Sequence, residues 1–278
     1  MVIKSYAKIN LTLKVNSKSR NGLHEIQTFY SWINLIDKIS IVETKKKKDR
    51  ITFKGPFAKL VKNRDNTVFK LLKKLRELNL ISNYYSIVIT KNIPVFSGLG
   101  GGTGNAAFIL KYLLKNKINN VLLSKLEEVI GTDFKLFFIR HGYLKNLRTV
   151  VEITKMHKFC FVLIQPKIKC STRKIYSRVK NFSAKENFEK KTIKSKKSFL
   201  DYLKKSRNDL QFIVEKKYPQ IKRLLRDIND EKGCCFSRLT GSGSVCYGLF
   251  RDQIVAKKAL NKLKNKYPKF WFSLAKTV

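Results

Sequence analysis

Five of the seven residues from Gly98 to Gly104 are glycine, in the stretch Pro94-Val95-Phe96-Ser97-Gly98-Leu99-Gly100-Gly101-Gly102-Thr103-Gly104-Asn105-Ala106-Ala107. A strand-like segment, Tyr84–Thr90, precedes it and a helical one, Ala106–Leu114, follows. Glycine permits positive φ and lets the backbone approach a ligand closely. Successive amides can then converge on one point, and the following helix adds the positive end of its dipole. That combination makes an anion site, above all a cradle for phosphate. A flexible linker or a glycine helix cap is the competing reading, and the seat between strand and helix speaks against it. The spacing excludes two other phosphate loops. No Lys follows the glycines, as GxxxxGK[ST] demands, and Thr103 stands where GxGxxG needs its third glycine.

The flanking chain mixes strands and helices without strict alternation. Val2–Val15 reads as a strand and Asn21-Gly22 as a turn. Gln27–Val42 predicts one or two strands, and Ile51–Phe53 a short one. Val68, Leu71, Leu72, Leu75 and Leu78 form a helical stripe within 66–80. Ser124–Ile130 predicts a short helix that Gly131 ends. Beyond a weakly patterned stretch, Phe159–Ile164 opens a second set of elements as a buried strand. A Lys-rich polar segment, 181–199, follows. A helix over Ile221–Ile228, a strand, glycine turn and strand over Ser237–Phe250, a helix over Gln253–Lys266 and a strand over Phe270–Ala275 complete it. The pattern predicts an α+β fold of two domains, residues 1–155 and 156–278.

Composition narrows the function classes. The 278 residues are 43% hydrophobic and 12% aromatic, enough to bury a core and unlike a disordered chain. The 60 Lys and Arg against 19 Asp and Glu give a formal net charge of +41. Such charge first suggests nucleic acid. The excess is mostly Lys, however, spread end to end beside abundant Asn, Ile, Phe and Tyr, residues that share AT-rich codons. The runs Lys45–Lys48 and Lys190–Lys197 read as solvated loops. Base composition is therefore the favoured source, and no specific nucleic-acid partner is expected. No apolar run approaches the roughly 20 residues of a membrane helix, and the N-terminus lacks the pattern of a secretory signal. Five cysteines without a CxxC pair and only three histidines argue against a zinc site or a disulfide framework. A cytoplasmic protein with reduced thiols is expected, without a membrane partner.

The order Pro-x3-Gly-Leu-Gly-Gly-Gly-Thr-x-Asn-Ala-Ala resembles the ATP-binding signature of the GHMP kinases. Ala7-Lys8-Ile9-Asn10-Leu11 resembles the first motif of that family, and Leu239-Thr240-Gly241-Ser242-Gly243-Ser244 its third. Gly22-Leu23-His24-Glu25-Ile26-Gln27-Thr28, Asp65-Asn66 and Gly131-Thr132-Asp133 resemble segments of the branch that acts on a cytidylated methylerythritol. The resemblance implies a ribosomal protein S5 domain 2-like N-terminal domain fused to a ferredoxin-like C-terminal domain, with ATP and substrate meeting between them.

It also implies ATP-dependent phosphorylation of the 2-hydroxyl of 4-diphosphocytidyl-2-C-methyl-D-erythritol, with Mg²⁺, in non-mevalonate isoprenoid biosynthesis. Another small-molecule kinase of the superfamily, of the homoserine or mevalonate type, is the alternative, and a basic RNA-binding protein a more distant one. A monomer or weak homodimer is expected. Asp133 takes the catalytic acid/base role, with Lys8 beside it. The resemblance assigns Pro94 to Asn105 to nucleotide binding, with the amides of 98–104 on its phosphates, while Asn66, Thr67, Val68 and Lys91 resemble adenosine-side contacts. Asn10, His24, Thr172 and Tyr176 resemble positions on the substrate, His24 at the cytosine edge and Tyr176 stacking on its face.

Several residues depart from the family pattern. Leu23 replaces a Tyr before the His. Phe134-Lys135-Leu136-Phe137 lacks a proline. Gly104 replaces a second small hydroxyl residue, and Lys145-Asn146-Leu147-Arg148 replaces a Gly-x-Gly-Glu run.

Overall fold

A computed structural model describes residues 2–20, 22–61 and 65–278. Asn21, the first residue of the expected Asn21-Gly22 turn, lies outside the described residues. The chain divides into two compact units. The first comprises Met1–Lys8, Leu35–Val95 and Gly100–Ile139. The second comprises Ile9–Asn34, Phe96–Leu99 and Arg140–Val278. Strand β1 (Val2–Asn10) and the 21-residue β3 (His24–Thr44) each contribute residues to both. β1 pairs with β3.

In the first unit, β4 (Arg50–Lys54) and β5 (Tyr84–Thr90) pair in parallel, and β5 runs antiparallel to the end of β3. Parallel neighbours need a crossover, and helix α1 (Thr67–Glu77) lies in it. Val68, Leu71, Leu72 and Leu75 are its buried positions, the i, i+3, i+4, i+7 spacing of one helical face. The Asn66 side chain caps it, accepting from the Val68 and Phe69 amides at 3.1 and 2.9 Å. α1 packs on α2 (Gly101–Leu114) and α3 (Asn120–Ile130).

The second unit holds β2 (Lys14–Lys18), which pairs with the start of β3, β6 (His141–Leu144), which pairs with the same strand, and β7 (Val150–Glu152), which pairs with β6. It also holds a four-stranded antiparallel sheet of β8 (Cys160–Gln165), β9 (Cys234–Leu239), β10 (Cys246–Phe250) and β11 (Trp271–Lys276), ordered β11-β8-β10-β9. α4 (Thr172–Tyr176), α5 (Lys196–Lys205), α6 (Asp209–Lys217) and α7 (Pro219–Asn229) separate β8 from β9, and α8 (Gln253–Lys266) separates β10 from β11. α7 covers β9 and β10, while α8 covers β8 and β11. With α7 and α8 as the crossover helices, the order last, first, third, second is the ferredoxin-like βαββαβ arrangement.

The local differences from the sequence reading have physical causes. Val2–Val15 is two strands: the amides of Leu11 and Thr12 both reach the Phe29 carbonyl, and Leu13 donates to Arg207 instead. α2 starts at Gly101, five residues before Ala106, because Gly104 already donates to Gly100 at 2.8 Å. Within 181–199, α5 begins at Lys196 behind a capping box of Ser195 and Ser198.

Candidate functional site

In the first unit the glycines are demanded by packing. Gly100 caps α2 in the left-handed region, φ 69°, and supplies no side chain to the first-turn amides. A Cβ there would lie 2.7 Å from Cζ of Phe137, and one on Gly104 would lie 2.9 Å from Cε1 of the same ring. Gly101 rests on Ile93, whose Cγ2 would lie 2.8 Å from any Cβ at that position. The glycine run thus lies flat on Phe137 and Ile93, while Gly102 is exposed and Thr103 half-buried. Thr67 Oγ1 donates to the Gly102 carbonyl at 2.6 Å. A helix N-terminus with backbone on its outer side and no capping side chain suits an anion.

Lys8 and Asp133 meet beside this run. Nζ of Lys8 lies 3.0 Å from Oδ2 of Asp133. Lys8, on β1, is 2% exposed, whereas Asp133 is 39% exposed at the head of a 3-10 turn, Phe134–Phe137. A Cβ on Gly100 would be 3.3 Å from Cε of Lys8, so the lysine stem runs beneath the loop. Asn66 is occupied as the cap of α1, and Val68 is buried. Lys91 is turned inward to the carboxylate of Asp37. Burial pushes the Lys91 ammonium below its usual value, and Asp37 opposes that shift. Asp37 also accepts from the Asn92 and Ile93 amides, each at 2.8 Å. The end of β5 is therefore anchored just before Pro94.

In the second unit, Phe96–Leu99 is paired with the Leu239–Ser244 motif. Ser244 donates to the Phe96 carbonyl at 2.9 Å and Val245 to that of Ser97 at 3.1 Å. Ser97 Oγ accepts from the Leu99 amide at 3.2 Å. Gly98 has φ +75°, and a Cβ there would sit 2.1 Å from the Thr240 carbonyl, so no other residue fits. Asn10 joins this group: its amide donates to Thr240 Oγ1 at 3.0 Å, and its Nδ2 to Thr28 Oγ1 at 3.0 Å.

Ser242 extends the group to Thr172, with hydroxyls 2.9 Å apart. The His24 and Tyr176 rings lie 5.1 Å apart between centroids, tilted by 43°. Nε2 of His24 is enclosed and has no hydrogen-bond partner. Burial, followed by the Lys18 charge, lowers the His24 pKa, so the ring is neutral near pH 7. Sequence reasoning missed Asp37, and it gave no role to Phe137, Thr28 or Thr240 although each stands in a segment singled out above. The short turn after Asp133 could have flagged Phe137 as a filler, whereas the other three are defined only by their partners.

Two family descriptions match the chain. The GHMP kinases N terminal domain matches residues 66–132 and the GHMP kinases C terminal region residues 184–269. A 4-diphosphocytidyl-2-C-methyl-D-erythritol kinase of Pelagibacter ubique (strain HTCC1062) is 35% identical over 287 residues, covering 99% of this chain and 98% of that protein. The chain belongs to the GHMP kinases. As one of them it is an ATP-dependent small-molecule kinase. A second relative, a 4-diphosphocytidyl-2-C-methyl-D-erythritol kinase of Caldanaerobacter subterraneus, is 30% identical over 299 residues, 99% of this chain and 96% of that one. Among solved structures, a 4-(cytidine 5'-diphospho)-2C-methyl-D-erythritol kinase superposes with a TM-score of 0.75 at 22% identity over 99% of both chains. The homoserine kinase of Cytophaga hutchinsonii superposes with a TM-score of 0.66 at 17% identity, over 100% of this chain and 94% of that one. These two structures share the GHMP kinase fold with this chain.

Proposed function

We propose that this GHMP kinase transfers the γ-phosphoryl group of ATP to the 2-hydroxyl of 4-diphosphocytidyl-2-C-methyl-D-erythritol, a step of non-mevalonate isoprenoid biosynthesis. The observation that carries the chemistry is the Lys8–Asp133 pair at 3.0 Å beside the glycine run. The two full-length relatives carry the choice of substrate, since both are named for it.

The residues fit the reactants. The Gly98–Gly104 backbone, with the first-turn amides of α2, would hold the nucleotide phosphates, because nothing larger than hydrogen fits beneath Gly98, Gly100 and Gly104. Thr103 and Asp133 offer the oxygens that Mg²⁺ takes, and this ion ordinarily needs only one or two protein ligands besides phosphate oxygens and water. Bound Mg²⁺ would offset charge on the phosphates. Asp133 accepts the proton of the 2-hydroxyl as its oxygen bonds to the γ-phosphorus and the bond to the ADP oxygen breaks. The Lys8 ammonium keeps that carboxylate ionised and offsets negative charge nearby. His24 and Tyr176 take the cytosine ring, while Asn10 and Thr172 take polar groups of the same substrate.

Among the described residues no helix is long and apolar enough to cross a membrane. All five cysteines are free thiols, which suits the cytoplasmic location we propose. The test is ADP release by the purified chain with three acceptors: the cytidylated methylerythritol, homoserine and mevalonate. Release with the first alone supports this function, and release with either of the others alone replaces it.

A further inference from the structure

Phe182 lies in the coil between α4 and α5 and is 46% exposed. That coil is tightly held. The Ser183 amide donates to the Val15 carbonyl at 2.8 Å, and its hydroxyl to Oδ2 of Asp209 at 2.7 Å. The Ser183 carbonyl accepts from Nδ2 of Asn16 at 3.0 Å. Three residues on, Glu186 and Gln27 exchange two hydrogen bonds of 2.8 Å each. The backbone around Phe182 is thus fixed against β2 and β3, yet the ring stays open to water.

A lone exposed Phe is ordinary. This one sits at a particular address. Its centroid lies 6.4 Å from that of His24, whose ring also meets Tyr176 at 5.1 Å. Nε2 of the same histidine is enclosed without a hydrogen-bond partner. Leu23, next along the chain, is 43% exposed and carries no aromatic ring. Two aromatic rings beside a histidine with an unused nitrogen suit a planar heterocycle, which is apolar on its faces and polar at its edge. A ring carried on a backbone already fixed before binding has only its own side-chain torsions to lose when a base stacks on it.

We propose that Phe182 is a specificity residue of this kinase and forms, with Tyr176, the second aromatic wall of the pyrimidine-base subsite, supplying the stacking that Leu23 does not. The inference rests on the substrate proposed above. Phe182 would therefore set affinity for the cytidine end of the substrate and leave phosphoryl transfer untouched.

The test is steady-state kinetics of the full chain, with CDP binding measured by calorimetry. Loss of one base-stacking ring weakens binding about tenfold. Phe182→Ala should thus raise KM for the cytidylated substrate and the Kd of CDP by about that factor. Its kcat and KM for ATP should stay within about twofold, and its melting temperature should match the parent, since the ring is exposed. Adding Leu23→Tyr to Phe182→Ala should restore most of the lost affinity. Unchanged KM and CDP affinity in Phe182→Ala, or an equal rise in KM for ATP, overturns the role of Phe182 alone if the parent chain turns over the cytidylated substrate. A parent chain that neither turns over that substrate nor binds CDP overturns the proposed function and Phe182 with it.

Discussion

Lys8 and Asp133 form an unequal pair: Nζ and Oδ2 are 3.0 Å apart, but the lysine is 2% exposed and the aspartate 39%. Removing the carboxylate therefore takes the counter-charge from a buried ammonium, while removing the ammonium leaves a carboxylate that water can reach. Loss of a positioned base lowers turnover by about 10²–10⁴-fold, which is the fall in kcat expected for Asp133→Asn. Because Asp133 is half-exposed, the same change should cost only about 1–2 kcal/mol, below the ~3–5 kcal/mol of a fully buried pair. Lys8→Met should lower kcat comparably with a smaller shift in the urea midpoint. A larger stability loss for Lys8→Met than for Asp133→Asn would contradict this reading of the pair.

The two glycines over Phe137 should respond differently to a methyl group. Gly104 has ordinary helical geometry, and its added Cβ meets the ring at 2.9 Å. Gly100 adds a positive φ to a 2.7 Å contact. Overpacking typically costs about 1–3 kcal/mol, and a left-handed backbone for a non-glycine residue about 1–2 kcal/mol more. Phe137→Leu should rescue part of the stability lost in Gly104→Ala and much less of that lost in Gly100→Ala. Thermal midpoints of the four variants measure this.

The anchor beneath the loop is the Lys91–Asp37 pair, 3% and 0% exposed. Asp37→Asn keeps an oxygen for the Asn92 and Ile93 amides but leaves Lys91 without its counter-charge. Breaking such a pair from one side costs about 3–5 kcal/mol. The Asp37→Asn, Lys91→Met double variant should recover stability relative to Asp37→Asn in urea unfolding, because no buried charge remains.

Stability should also fall on mild acidification. The His141 pKa is pushed below its usual 6.5 by burial, with the Val278 carbonyl opposing and Arg140 assisting. His24 is shifted the same way. Below 6.5 the unfolded chain takes up protons that the folded chain refuses, so this contribution is complete above pH 6.5 and is lost as pH falls below it. Urea midpoints between pH 8 and 5 should decline in the parent and decline less in His141→Gln. Parallel curves would remove His141 from the effect.

The parts of this molecule legible in sequence are those with local causes. The stripe Val68, Leu71, Leu72, Leu75 announces α1, and α8 carries its own boundaries at Gln253 and Lys266. Five glycines between strand and helix announce the loop. What escaped depends on distant partners. Asp37 lies 54 residues before Lys91, so no spacing links them. α2 reaches back into the glycines because Phe137 and Ile93 support them, against their weak helix propensity. β7 is three residues long and owes its pairing to β6, which leaves no period to detect.

The most direct measurement is ³¹P nuclear magnetic resonance of the parent chain and of Asp133→Asn, each with ATP, Mg²⁺ and 4-diphosphocytidyl-2-C-methyl-D-erythritol. A new phosphomonoester signal on the cytidylated product is expected, growing in step with ADP in the parent and nearly absent in the variant. A folded Asp133→Asn chain that makes the product at the parent rate, or a parent chain that makes none, would contradict it.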